Sequence, residues 1–444
     1  MPVTPARTAA FDILLRVEQE AAHASELLHS KANEQLSPQD HGLATELVMG
    51  VLRWRSRLDD EIKQASSQPL TRLDAEILIA LRLALYQIRW LDQIPSRAAV
   101  NESVELVKRA RKKSAVPFVN AVLRKLAASK SATRDNPNSI EEIATTYAHP
   151  KWLVERWARQ FTLETAKKIC EHNQSIPATS IRVRDTSAIE ELKKEKITLR
   201  PGAILAAARR VDSGNAAKTQ AFREGKIVIQ DEASQLVAEL LGKGKTILDC
   251  CAAPGGKTLA TADNNPNATT LATELHPHRA RLLKKLLQAN QPSKQIQIIT
   301  ADARHLPFIQ LFDRILADVP CSGTGTLSRN PEIKWRLTPA DLADLQSRQQ
   351  AILESALKQL APNGRLIYST CSLEKEENED VIEKVLQKEI SVRVVNCRSE
   401  LDRLKSEGKL IWQKPESLLT GPYLRTIPGI QPCDGFFAAI LEKI

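Results

Sequence analysis

No Cys-x-x-C pair occurs in this chain. Its cysteines, Cys170, Cys250, Cys251, Cys321, Cys371, Cys397 and Cys433, are also odd in number. Such spacing supports neither a disulfide framework nor a zinc ribbon. A reducing, cytoplasmic setting without a bound metal is therefore expected. Apolar runs are short as well. None reaches the roughly 18 residues that a membrane-spanning helix needs. The richest, Ile77 to Trp90, is cut by Arg82 and Arg89. Met1 to Ala10 lacks the basic-then-apolar pattern of a secretory signal. No internal repeat or low-complexity tract stands out.

What is present is a long, basic chain. Its 444 residues allow two to three domains, at roughly 150 residues each. A hydrophobic content of 42% permits a large core. Lys+Arg 63 against Asp+Glu 53 gives a net charge of +10. That balance favours a polyanionic partner, nucleic acid before membrane.

Residues 1–130 carry apolar stripes at helical spacing. Leu43, Leu47, Val48, Val51, Leu52 and Leu58 form one, and Ile77, Leu78, Leu81, Leu85 and Ile88 another. Val100, Val104 and Val107 mark a third; Val119, Val122, Leu123 and Leu126 a fourth. An all-α bundle of at least five helices is predicted. Lys108 to Lys113 holds five cations in six residues, and Arg53, Arg55 and Arg57 form a second group. Each reads either as a phosphate-contacting patch or as solvated charge at a helix end. Ser129 to Ser139 is polar and aperiodic, a linker candidate. Residues 140–228 read as a small α+β segment, with helices over 151–161 and 163–173 before strands over 180–184 and 226–230. From 229 to 444, short apolar strands alternate with helical stretches. That is a doubly wound α/β domain with a mostly parallel sheet.

The chemistry concentrates in this last part. Asp313 to Asp318 reads as a strand ending in Pro320-Cys321-Ser322. Arg365 to Thr370 reads as another, ending in Cys371-Ser372. A helical pattern lies between them. A strand–helix–strand unit makes the two strands parallel and close, so both thiols fall at the carboxyl edge, where open α/β sheets bind ligands. The first strand of the domain runs into Cys251-Ala252-Ala253-Pro254-Gly255-Gly256-Lys257-Thr258, a small-residue loop before a helix. Its second half matches a P-loop, but position 251 is Cys where that motif requires Gly. Glu274, Asp302 and Asp318 end successive strands. Each alone is the kind of acid that caps a turn; together they favour a nucleoside-containing ligand.

The set Cys251 to Lys257, Asp318-Val-Pro-Cys-Ser322, Ser369-Thr-Cys-Ser372, Glu374 to Glu379 and Asp434-Gly-Phe-Phe437 resembles the RNA cytosine-5 methyltransferase family. The helical region upstream resembles an RNA-binding domain of the NusB type, a combination found in the 16S rRNA branch. The resemblance implies a Rossmann-like class I methyltransferase domain and S-adenosyl-L-methionine as cofactor. It implies that Cys251, Ala252, Ala253, Pro254, Gly255, Gly256 and Lys257 hold that cofactor with Glu274, Asp302 and Asp318. Glu274 departs from the usual Asp. It further implies that Cys371 attacks C6 of the base, that Cys321 assists release, and that Asp318 contacts cytosine. The implied target is cytosine 967 of 16S rRNA, unpaired or flipped, and the enzyme a monomer. A non-catalytic RNA-binding factor on a degenerate enzyme fold and a P-loop NTPase are the alternatives.

Overall fold

The computed structural model describes residues 3–444 except Ala21, Lys31, Glu34, 130–135 and 290–295. It forms two compact units, Met1–Ile176 with Leu327–Arg336, and Pro177–Thr326 with Leu337–Ile444.

The first unit is helical: α1 (Pro5–Gln19), α2 (Ala24–Leu28), α3 (Pro38–Ala65), α4 (Ala75–Trp90), α5 (Ser96–Arg109), α6 (Val116–Ala128), α7 (Ile140–Thr146), α8 (Lys151–Gln160) and α9 (Leu163–Gln174). α3 starts where Ser37 accepts the Asp40 N–H at 3.1 Å with Pro38 in the first turn, a standard start signal. α4 is buried on nearly every face, which marks it as the central helix. Arg82 survives inside because Asp59 takes its guanidinium in two parallel bonds of 2.7 and 2.8 Å, which offset the cost of burying its charge.

The two basic stretches resolve differently. Lys108 pairs with Glu105, Arg109 with Asp12 and Lys112 with Asp74. Arg53 is buried and donates to the Ser328 carbonyl at 3.1 Å. Arg55 pairs with Glu18, and Arg57 lies over the Trp54 and Trp90 rings. The exposed pairs of Lys108, Arg109 and Lys112 leave both readings of that stretch open to test, and the phosphate reading fails for the buried Arg53. The segment Leu327–Arg336 threads into this unit. There Lys334 donates to the Arg53 carbonyl at 2.9 Å and Trp335 to the Leu52 carbonyl at 2.6 Å.

Of the stretch 140–228, α7–α9 fall in the first unit and the rest in the second. Gln174 of α9 donates to the Arg53 carbonyl of α3 at 3.0 Å. Within them Trp157 is fully buried, edge-on to His149. The linker candidate lies mostly outside the described residues; its last residue, Ser139, caps α7 through the Glu142 N–H.

The second unit opens with β1 (Thr179–Val183), α10 (Ala188–Lys194), β2 (Thr198–Pro201), β3 (Ala208–Ser213), α11 (Gln220–Arg223) and β4 (Ile227–Ile229). Its four strands pair antiparallel in the order β2-β3-β1-β4. The rest of the chain alternates: α12 (Glu232–Leu240), β5 (Thr246–Asp249), α13 (Gly256–Asn264), β6 (Thr269–Glu274), α14 (Pro277–Ala289), β7 (Ile296–Thr300), β8 (Phe312–Asp318). After the short α15 (Ile333–Arg336) of the first unit come α16 (Pro339–Lys358), β9 (Leu360–Thr370), α17 (Glu379–Leu386), β10 (Val392–Val395), α18 (Cys397–Ser406), β11 (Leu419–Thr420), β12 (Tyr423–Thr426) and β13 (Phe436–Lys443).

The nine-stranded sheet runs β11-β12-β13-β9-β8-β5-β6-β7, with β10 also on β13. Its β7-β6-β5-β8-β9 part is parallel. The C-terminal strands are antiparallel, so the sheet is mixed rather than mostly parallel. The central parallel strands β5, β8 and β9 are covered on both faces, which explains their apolar runs, whereas the edge strand β7 is partly exposed. Ile315, Ala317, Leu366 and Tyr368 meet Ile352, Leu353, Ala356 and Leu357 of α16. Leu316 and Ile367 meet Leu236, Val237 and Leu240 of α12 and Leu401 and Leu404 of α18. Truncating a residue such as Leu353 to Ala would cost about 2–5 kcal/mol.

Candidate active site

β8 and β9 are adjacent and parallel, with Asp318 opposite Ser369. The turns that follow bring Cys321 Sγ and Cys371 Sγ to 3.3 Å. The hydrogen bond to Cys371, followed by burial, pushes the Cys321 thiol well above its ordinary value. Two glycines set the turns in place. Gly325 donates its N–H to the Cys371 carbonyl at 2.9 Å and accepts the Gly435 N–H at 2.8 Å. A β-carbon on either glycine would overlap the backbone of the other. That contact gives the Asp434-Gly-Phe-Phe437 motif its physical reason.

The loop between β5 and α13 lies beside this pair. Gly255 has φ 116° and packs under Leu283 and Leu286, where only a glycine fits. The Ala253–Pro254 peptide is cis. Lys257, in the first turn of α13, reaches Asp318 Oδ2 at 2.7 Å, and its ammonium lies 4.6 Å from the Phe436 ring centroid. Burial opposes the lysine charge, but the Asp318 carboxylate and the nearby Cys371 raise its pKa overall. Ser369 Oγ donates to the other Asp318 oxygen at 2.8 Å. With its ammonium on Asp318, Lys257 does not play the part of a P-loop lysine.

A cavity of about 390 Å³ opens at this edge, within the size range of small-molecule sites. Cys251, Ala253, Glu274, Asp302, Asp318, Cys321 and Cys371 line it. Ala252, Pro254, Gly255, Gly256 and Lys257 do not; they form the loop behind its wall. Glu274 is buried at the end of β6. One of its oxygens accepts the His276 N–H at 3.0 Å and lies 3.8 Å from Arg279; the other has no partner among the described residues. Asp302 caps a single turn through the Arg304 N–H, and its carboxylate is held low by the Arg304 side chain at 2.6 Å. Asp302 thus lines the cavity while already serving as a turn cap.

Sequence reading missed Asp249. It is buried at the end of β5, accepts from Thr258 Oγ1 at 2.7 Å and lies 3.3 Å from the Cys251 nitrogen. Burial raises its pKa to about 7. It was hidden inside an apolar strand, though an acid ending such a strand was signal enough at Glu274 and Asp318. A larger cavity, about 540 Å³, is lined by Arg182, Arg184, Asp263, Glu239 and Lys409. Its charges are engaged with one another, Asp263 taking both arginines and Glu239 the lysine, and no nucleophile lines it.

The comparisons with known proteins agree with this geometry. Residues 240–442 match the family described as 16S rRNA methyltransferase RsmB/F, residues 4–128 the NusB family, and residues 149–217 the ferredoxin-like domain of RsmF/B-like methyltransferases. The chain is 34% identical to the "Probable ribosomal RNA small subunit methyltransferase B" of Bacillus subtilis over 100% of both chains. It is 30% identical to the "Ribosomal RNA small subunit methyltransferase B" of Vibrio cholerae, covering 93% of this chain and 92% of the other. The crystal structure of PH0851 superposes with a TM-score of 0.79 at 25% identity over 99% of each chain. The chain belongs to the 16S rRNA methyltransferase RsmB/F family.

Proposed function

We propose that this rRNA methyltransferase acts on C5 of an unpaired or flipped cytosine in 16S rRNA, with S-adenosyl-L-methionine as cofactor. One observation carries the reading: two thiols 3.3 Å apart on the wall of a nucleoside-sized cavity. C5 of cytosine is a poor nucleophile, and a thiolate added at C6 turns the ring into an enamine that attacks through C5.

The free Glu274 oxygen fits a ribose hydroxyl; Cys251 and Ala253, backed by the rest of the loop 251–257, complete the holding set with Asp302 and Asp318. When bound, the cofactor supplies an electrophilic methyl group. Cys371, close to the Lys257 ammonium, forms the bond to C6 as a thiolate. The displaced electron pair makes C5 the nucleophile, and C5 takes the methyl. The C5 proton then leaves, the C5–C6 double bond re-forms, and the Cys371 thiolate is expelled.

Cys321 is placed to take that proton. It holds its own proton in the resting pair mainly because of Cys371. Once Cys371 Sγ is bonded to C6, that cause is gone, and Cys321 ionises more easily at the step where a base is needed. Asp318, fixed by Lys257 and Ser369, is positioned to accept a hydrogen bond from the base. By family resemblance the target is cytosine 967, and the chain acts as a cytoplasmic monomer.

The test is bisulfite sequencing of 16S rRNA incubated with the purified chain and S-adenosyl-L-methionine. One unconverted cytosine is expected, and it should be absent with Cys371→Ala. Methyl incorporation with every cytosine still converted would overturn the reading.

A further inference from the structure

The two cysteine turns are tied together by a side chain outside the cavity wall. Glu377 lies in the single turn Lys375–Glu377 after β9 and is fully buried. One of its oxygens accepts the Ser322 N–H at 2.8 Å and the Gln349 amide at 2.9 Å. The other accepts the hydroxyls of both Ser322 and Ser372. These serines directly follow Cys321 and Cys371. A single carboxylate therefore grips the residue after each nucleophilic position.

The surroundings fix the grip. Gln349 also donates to the Pro320 carbonyl at 2.9 Å, so α16 holds the first turn from before the cysteine as well. Tyr368 donates its hydroxyl to the Glu377 carbonyl at 2.6 Å. Ser372 Oγ accepts the Glu374 N–H at 3.0 Å, which leaves its proton for Glu377. Four donors saturate an acceptor-only group. Burying a carboxylate is costly even so, and apolar packing would hold a fold at least as well. What an apolar side chain could not supply is a directional bond to each turn at once.

We propose that Glu377 is a positioning residue that sets the spacing of the Cys321 and Cys371 thiols. It thereby governs the rates of addition and of product release. The kinetic half rests on the function proposed above; the spacing half does not.

The experiment therefore has two arms. In the first, the full chain without RNA is treated with diamide. Its N=N bond takes one hydrogen from each thiol and becomes a hydrazine as the S–S bond forms. Peptide mass mapping follows the Cys321–Cys371 bond over time. Glu377→Ala should slow its formation about tenfold or more, since a displacement of about 1 Å carries penalties of that order or larger. Ser372→Ala, which frees only the second turn, should slow it less, and the isosteric Glu377→Gln should recover most of the rate. Thermal stabilisation by S-adenosylhomocysteine should persist in each variant. In the second arm, single-turnover methylation of 16S rRNA should fall about 100-fold in Glu377→Ala, with the KM for RNA unchanged.

A purely structural role would lower melting temperature and leave the oxidation rate alone. Wild-type oxidation kinetics in a folded Glu377→Ala protein, or in Ser372→Ala should the first not fold, would overturn the proposal. Failure of the wild-type chain to methylate would instead sink the proposed function and leave the first arm standing.

Discussion

The turn at Cys321 and the turn at Cys371 look like copies. Each follows a parallel strand, each puts a serine after the cysteine, and both serines bond to Glu377. Their surroundings differ. Cys321 is followed by Gly323 at φ 73° and by a chain that leaves for the helical unit at Leu327. Cys371 lies near Lys257 and, with Asp318, raises the pKa of that lysine against the effect of burial. The hydrogen bond to Cys371 and burial push the Cys321 thiol well above its ordinary value. Two like turns thus place their thiols in unlike surroundings, and the roles proposed for them, Cys371 as nucleophile and Cys321 as proton acceptor, follow that difference.

The largest effect should come from removing the proposed nucleophile. Cys371→Ala should lower methylation by about four orders of magnitude or more and leave no covalent protein–RNA species on a denaturing gel. Cys321→Ala should instead accumulate that species and slow turnover about 10²–10³-fold. The opposite pattern would exchange the two roles. Asp318→Asn tests the field that separates them. It leaves Lys257 without its carboxylate, and chemical denaturation should show a loss of about 2 kcal/mol, less than the ~3–5 of a fully buried pair because Asp318 is partly exposed. Methylation should fall with it.

Asp249 offers a test through pH. Its folded pKa of about 7 lies above the ordinary 3.8. A carboxyl raised in this way stabilises the fold fully below about pH 4, and that contribution is lost as pH rises through about 7. Asp249→Asn removes the dependence. Its melting temperature should exceed that of the wild type at pH 8, by an amount worth at most about 4 kcal/mol, and the gain should vanish near pH 4. The smallest effect concerns the helical unit. Arg109→Ala should leave the salt dependence of RNA binding unchanged, because Arg109 is engaged with Asp12. Arg111→Ala with Lys113→Ala, both exposed and without an ion pair among the described residues, should lower the salt slope by no more than about 2.

Much of the catalytic unit was legible because its signals are local. Short apolar runs between turn residues marked β5 to β9, and the strand–helix–strand rule made β8 and β9 neighbours before any coordinates. The antiparallel strands β10 to β12 were missed. They are short, and their pairing with β13 is set by contacts distant in sequence rather than by pattern. Asp249 was passed over as part of an apolar run. Arg53 was grouped with surface cations because its partner, the Ser328 carbonyl, lies 275 residues away.

By itself the sequence determined that two cysteines, a glycine loop and three acids would meet at one sheet edge, since strand order and turn chemistry follow from neighbours along the chain. The tertiary structure alone decided which charges are shared: Lys257 with Asp318, Arg109 with Asp12, and one carboxylate with both cysteine turns. Coulomb and hydrogen-bond energies depend on distances of a few ångströms between residues far apart in the chain, and only the packed fold sets those distances.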